Sequence, residues 1–375
     1  NGSPMSFNSP RIAYNSQKLA LHASFLVSYT TLARSSTPTT RDDSRANRRQ
    51  NRATFSIRAC AKRQVDSREH RCKSIAHREH PSRTSSNMRA SLRAVVLLAT
   101  AAADFPLLPV APPLATLTNL KTDPTDVFVA SWPKSGTTWM QAIVAHLVEP
   151  DRSSWAHVSE VTPFYDVEAS WDGDRPSQAL TKHFAKRGRR CWNTHLLWSL
   201  IPKGGKYIYV VRDPADAVVS FWHHLSNQRG AAGTYEGTLP AFAAEISEGT
   251  QPYGAWSAHV SDWAAATRDP AVLIVRYAEM KRDAAEVIRR VAAHLGVEHV
   301  DADAVARLTA FEAMKADAKR YAPVSVDWAP GFEFIRAGRV GDGAVLGEDA
   351  RRALVEGLTE SGRAVAFGDG GFGEL

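Results

Sequence analysis

Cysteine is scarce in this chain. There are three in 375 residues, and only Cys191 lies beyond residue 103. That excludes a disulfide scaffold, and no cysteine or histidine spacing resembles a zinc site. Long apolar runs are missing too. The best one, Ala94 to Ala103 behind Arg89 and Arg93, is too short to cross a bilayer as an ordinary helix, so no membrane span is expected. Acidic residues are rare in the first 103 positions, 5 against 18 Lys plus Arg, a net of +13. Residues 104–375 carry 34 acidic and 28 basic residues, a net of −6. The overall +7 therefore belongs to the N-terminal segment, and a nucleic-acid partner is not expected.

What is present divides in two. Residues 1–103 are rich in Ser, Thr, Arg and Asn, with no sustained apolar period between Arg34 and Ser91. Such a segment cannot bury enough apolar surface to offset its ordering entropy, so a disordered basic leader is expected. It reads as a plastid-type transit segment, as a secretory signal beginning at Met88, or as a stretch outside the mature protein. Residues 104–375 have the length of one α/β domain. A cytoplasmic location is expected, or a plastid one if the leader is a transit peptide.

The stretch Asp126 to Val148 organises that domain. Val127 to Trp132 is apolar apart from Ser131 and rich in β-branched or aromatic residues, which predicts a buried parallel strand. Pro133 ends it and Gly136 allows a tight turn. Thr137 and Thr138 suit a helix start, and Met140, Ile143, Val144, Leu147 and Val148 recur at helical spacing. A small polar loop between a strand and a helix N-terminus collects backbone N–H groups and partial positive charge. Lys134 adds a full charge, and Ser135, Thr137 and Thr138 add hydroxyls. This is an anion site. It lacks the second glycine and the following lysine of a P-loop, which tells against a nucleotide kinase.

Two further strand patterns end in charged or aromatic residues: KYIYVV (206–211) before Arg212, and VLIVRY (272–277). Ligands of open α/β sheets bind at the carboxyl ends of strands, so Arg212 is expected near the anion loop. Between them, Asn227 to Gly254 is rich in glycine and polar residues and reads as a loop over an acceptor. Trp256, Val260 and Trp263 read as a core stripe of a helix. Cys191 reads as a small core thiol, and His223 and His224 as helix or pocket-rim residues.

WPKSGTTW, NTHL (193–196), VVRDPADAVVSFWHH, RYAEM, LTAFEAMK and FIRAGRVGDG together resemble, in order, the motifs of soluble sulfotransferases that use 3′-phosphoadenosine 5′-phosphosulfate (PAPS). The resemblance implies an α/β, P-loop-like three-layer domain with a central, mostly parallel sheet. It implies transfer of a sulfuryl group from PAPS, without a metal, to a hydroxyl or amine of a small-molecule acceptor. His195 becomes the base and Lys134 the cation at the leaving phosphate. Ser135, Gly136, Thr137 and Thr138 hold the 5′-phosphate. Arg212, Ser220, Arg336, Ala337 and Gly338 surround the 3′-phosphate. Tyr277, Thr309, Phe311 and Trp139 surround the adenine. Three positions depart from the family pattern. Asn193 and Ala337 stand for lysines, and Gly343 stands for a tryptophan. A homologue that binds PAPS or its desulfo product, 3′-phosphoadenosine 5′-phosphate (PAP), without turnover is the alternative they raise. Arg339 is the nearby charge expected to compensate for Ala337. No dimerisation motif follows Gly343, so no oligomeric state is expected from sequence.

Overall fold

The computed structural model describes residues 105–229, 233–323 and 326–368. The expected basic leader and the Gly-rich end from residue 369 lie outside the described residues. Among the described residues, four strands form the central sheet: β1 Val127–Ser131, β2 Cys191–Thr194, β3 Lys206–Val211 and β4 Val272–Arg276. Their order is β2-β1-β3-β4, every neighbour is parallel, and Val127 lies opposite both Cys191 and Lys206. Every residue of β1 is buried, which is why it reads as an unbroken apolar run rather than an alternation. β1 stops one residue earlier than expected. Trp132 leaves the ladder, and its indole donates to the Gly254 carbonyl at 3.1 Å.

Alternate strand side chains enter opposite cores. Phe128, Ala130, Tyr207, Tyr209 and Val211 pack on one face with helices α2 Pro214–Asn227 and α3 Trp256–Ala264. Val127, Val129, Ile208 and Val210 pack on the other with α1 Thr137–Val148 and α4 Ala284–Leu295. Trp256 and Trp263 are buried in the first core, as the stripe predicts. Cys191 is buried in the second, and burial pushes its thiol up to about 12. An ion pair of Arg190 with the buried Asp126 closes the amino ends of the strands.

Two expectations need correction. Asn227 to Gly254 is not simply a loop, because it contains the helix Leu239–Ser247. Thr238 caps that helix and Pro240 lies in its first turn, a start signal obscured by the glycines around it. The strand pattern VLIVRY, expected to reach Tyr277, stops at Arg276, and Tyr277 opens the short helix Tyr277–Arg282 before Asp283, whose side chain accepts from Glu286 N, starts α4. Among the described residues no helix is long and apolar enough to cross a membrane.

Candidate active site

All four strands deliver residues from their carboxyl ends to one region. β1 leads into the loop 132–136, β2 into His195, β3 into Arg212 and β4 into Tyr277. The loop is held in an uncommon shape. Lys134 takes φ +61° and Gly136, the N-cap of α1, takes φ +106°. A Cβ on Gly136 would come within 2.8 Å of the Tyr277 ring, so the position demands glycine twice over. Thr137 does not cap the helix as expected. Its hydroxyl is buried and bonds the Ser131 hydroxyl at 2.6 Å, which ties α1 back onto β1. Thr138 is half-buried. The Ser135 hydroxyl is buried and has no hydrogen-bond partner among the described residues.

Lys134 is surrounded by cations and rings. Its ammonium lies 4.4 Å above the Phe334 ring and 3.3 Å from His224 Nδ1. Burial, then the nearby Arg212 and Arg336, bring it down to about 7. The Arg212 guanidinium is itself buried. It donates to the carbonyls of Lys134 and Arg339, lies 3.6 Å from Asp216, and covers the Tyr277 ring at 4.6 Å. Its Nε has no hydrogen-bond partner among the described residues. Three cationic side chains thus converge beside two orphaned donors, an arrangement that fits a multiply charged anion.

His195 sits directly after β2. Its Nδ1 is 2.7 Å from the Ser131 carbonyl, which can only accept, so Nδ1 carries the proton and Nε2 the lone pair. Nε2 has no hydrogen-bond partner among the described residues. The ring is bracketed edge-on by Phe164 at 5.5 Å and Tyr253 at 4.9 Å. Tyr253 holds φ +71°, an unusual conformation for a tyrosine, with its N–H bonded to the Pro106 carbonyl. Burial, with Lys134 adding to it and the Ser131 bond opposing it, lowers His195 to about 4. The imidazole is neutral near pH 7, as a general base must be.

Other expected residues take distinct places. Ser220 lies one helical turn before His224 on α2, half-buried and with no hydrogen-bond partner among the described residues. Arg336 pairs with Asp342 at 2.6 Å. Gly338 packs its Cα side against Phe311, where a Cβ would be 2.5 Å from the ring. Ala337 is half-buried and brings no charge. Arg339, the charge expected to compensate, has an exposed side chain, and its carbonyl meets Arg212. Trp139 meets Tyr277 edge-on at 5.7 Å. Thr309 does not offer its hydroxyl to a base. It is fully buried and bonds the Val305 carbonyl of its own helix. The Asn193 amide donates to the Thr162 carbonyl at 2.8 Å.

Three residues at the centre were not picked out by sequence. Asp166 accepts from the His195 N–H, His259 meets the His195 carbonyl, and His224 meets Lys134. In the sequence His224 reads as a helix or pocket-rim residue, and its spacing of four from Ser220 is the signal that puts the two on one face of α2.

The model of the sulfotransferase domain family matches residues 124–343. Sulfotransferase 1A1 of Mus musculus is 30% identical over 241 residues, covering 60% of this chain and 80% of that protein. The 3-beta-hydroxysteroid sulfotransferase of Cavia porcellus is 27% identical over 226 residues, covering 58% and 76%. Among solved structures, mouse sulfotransferase SULT7A1 complexed with PAP aligns with a TM-score of 0.52 at 25% identity, over 69% of this chain and 95% of that one. Retinol dehydratase in complex with retinol and PAP shares the fold, with a TM-score of 0.56 at 22% identity, over 66% and 85%. With the match spanning the loop at Lys134, His195, Arg212 and Arg336, the chain belongs to the sulfotransferase domain family.

Proposed function

We propose that this chain moves a sulfuryl group from PAPS to a hydroxyl or amine of a small-molecule acceptor. The observation that carries the reading is the pairing of a neutral His195, its Nε2 lone pair unengaged, with the cluster of Lys134, Arg212 and Arg336 beside it. The orphaned Ser135 hydroxyl and Arg212 Nε supply donors that a phosphate would satisfy. When bound, PAPS supplies the sulfuryl group and departs as PAP. His195 Nε2 takes the acceptor proton as the acceptor oxygen or nitrogen bonds sulfur and the bond from sulfur to the phosphate oxygen breaks. Lys134 offsets the charge gathering on that oxygen, and Arg212 with Arg336 holds the 3′-phosphate. Phe164 and Tyr253 wall the acceptor side of the base, which favours a flat or apolar acceptor.

Isothermal titration with PAP, 5′-AMP and ATP, followed by an acceptor screen with labelled PAPS, tests this. Preference for PAP that Arg212→Ala abolishes, with turnover that His195→Ala abolishes while PAP still binds, is the expected result. Equal binding of all three nucleotides would overturn the donor assignment. PAP binding without turnover on any acceptor would favour a binding homologue, the reading that Asn193 and Ala337 raise.

A further inference from the structure

We propose that Asp166 and His259 are positioning residues that clamp the His195 peptide from both sides and so keep its ring in the one tautomer that can act as a base. The inference rests on the reading of His195 as the base. His195 lies just past the last ladder residue of β2, so the sheet no longer holds its backbone. Buried side chains take over. On one side Asp166 Oδ2 accepts the His195 N–H at 2.7 Å, while Oδ1 accepts the hydroxyl of Thr194. On the other, His259 on α3 has Nε2 3.0 Å from the His195 carbonyl. That carbonyl can only accept, so His259 Nε2 carries the proton, and its Nδ1 accepts from the Tyr209 hydroxyl of β3 at 2.9 Å. Asp166 and His259 are both fully buried.

The consequence runs through the ring. The bond from Nδ1 to the Ser131 carbonyl is only 2.7 Å long and joins β2 to β1. A shift of the His195 backbone by about 1 Å breaks it, and misplacements of that size cost on the order of a hundredfold in rate. Freed of Ser131, the ring can also carry its proton on Nε2, where it cannot accept another. Asp166 makes no ion pair among the described residues. A buried carboxylate of this kind needs its donors, and here those donors include the base's own N–H and the preceding hydroxyl.

The test uses the full chain and imidazole ¹⁵N NMR beside kinetics. In the unliganded wild type, His195 should show a protonated Nδ1. Asp166→Ala should shift it toward a mixed tautomer and lower kcat by about 10- to 100-fold, with PAP affinity within about twofold. Asp166→Asn can accept from the His195 N–H and donate to Thr194, and should restore both. If Asp166→Ala does not fold, His259→Leu against His259→Gln gives the same comparison, since glutamine keeps a donor for the carbonyl. An unchanged tautomer and kcat in Asp166→Ala or His259→Leu would overturn the proposal, as would loss of PAP affinity in step with kcat. If His195→Ala turned over as well as wild type, the base assignment would fail instead, while the NMR result would still report on the clamp.

Discussion

Lys134 carries two burdens at once, a left-handed backbone and a crowded charge. Its φ of +61° turns the chain so that its own carbonyl meets Arg212 and its side chain runs to Phe334 and His224. Burial among Arg212 and Arg336 favours the neutral amine, which brings the group from its ordinary value near 10.5 to about 7. A bound phosphate reverses that preference. The sign follows: below about pH 7 the ammonium is already charged, and above it binding must include uptake of a proton. PAP affinity should therefore fall as pH rises through 7, by up to about tenfold per unit. Titration between about pH 6 and 9 measures this, and Lys134→Arg, which stays protonated, should flatten the decline. A flat wild-type profile would refute the assignment of Lys134 to the phosphate. That Lys134 matters is legible in the sequence, because a strand–loop–helix pattern fixes where a loop lysine must lie; His195 is legible only through the resemblance of its NTHL motif, because the four residues CWNT of β2 carry no strand pattern of their own. Asp166 was not legible. Nothing in the chain order tells that a carboxylate 29 residues earlier bonds the histidine N–H. The bridge of Phe164 to Asn193 helps bring it there.

At the scale of elements, β1, β3 and β4 are easy to read, while the short β2 and the C-terminal loop are not. β1 is buried along its length and β3 from Tyr207 on, so composition alone marks them. The segment Arg336 to Val345 has no period to read, and its shape is fixed from outside by Asp216 of α2. That carboxylate accepts from Gly341 N at 3.0 Å and from Gly343 N at 2.7 Å while facing Arg212. Gly343, read as the loss of a tryptophan, is here a steric requirement. A Cβ at that position would lie 2.4 Å from the Ala215 Cβ and 2.7 Å from its backbone carbon. Restoring the tryptophan should therefore do harm. Gly343→Trp should push the loop off α2, cost about 1–3 kcal/mol as overpacking does, and weaken PAP binding through Arg212. Thermal unfolding and PAP titration together check it, and a variant at least as stable and as tight as wild type would show that the loop tolerates the family residue.

The whole chain joins two parts of opposite charge, net +13 over residues 1–103 and net −6 over 104–375. The hydrophobic cores are built from Phe105 to Phe367, and the family match falls at 124–343. We propose that residues 104–375 fold alone and contain the whole PAP site. The three cationic side chains of that site sit in a part that is acidic overall, so its selectivity for an anion is local and should be weakly dependent on bulk charge. The basic segment should behave in the opposite way, with a salt-dependent, sequence-independent attraction to polyanions. The two behaviours can be separated in one comparison. The full chain should bind a cation-exchange surface or heparin and elute with salt, while the 104–375 fragment should pass through. Both should bind PAP within about twofold and unfold with one shared transition. If the fragment failed to fold or lost PAP, residues 1–103 would have to contribute to the site itself, and the division of the chain at residue 103 would be wrong.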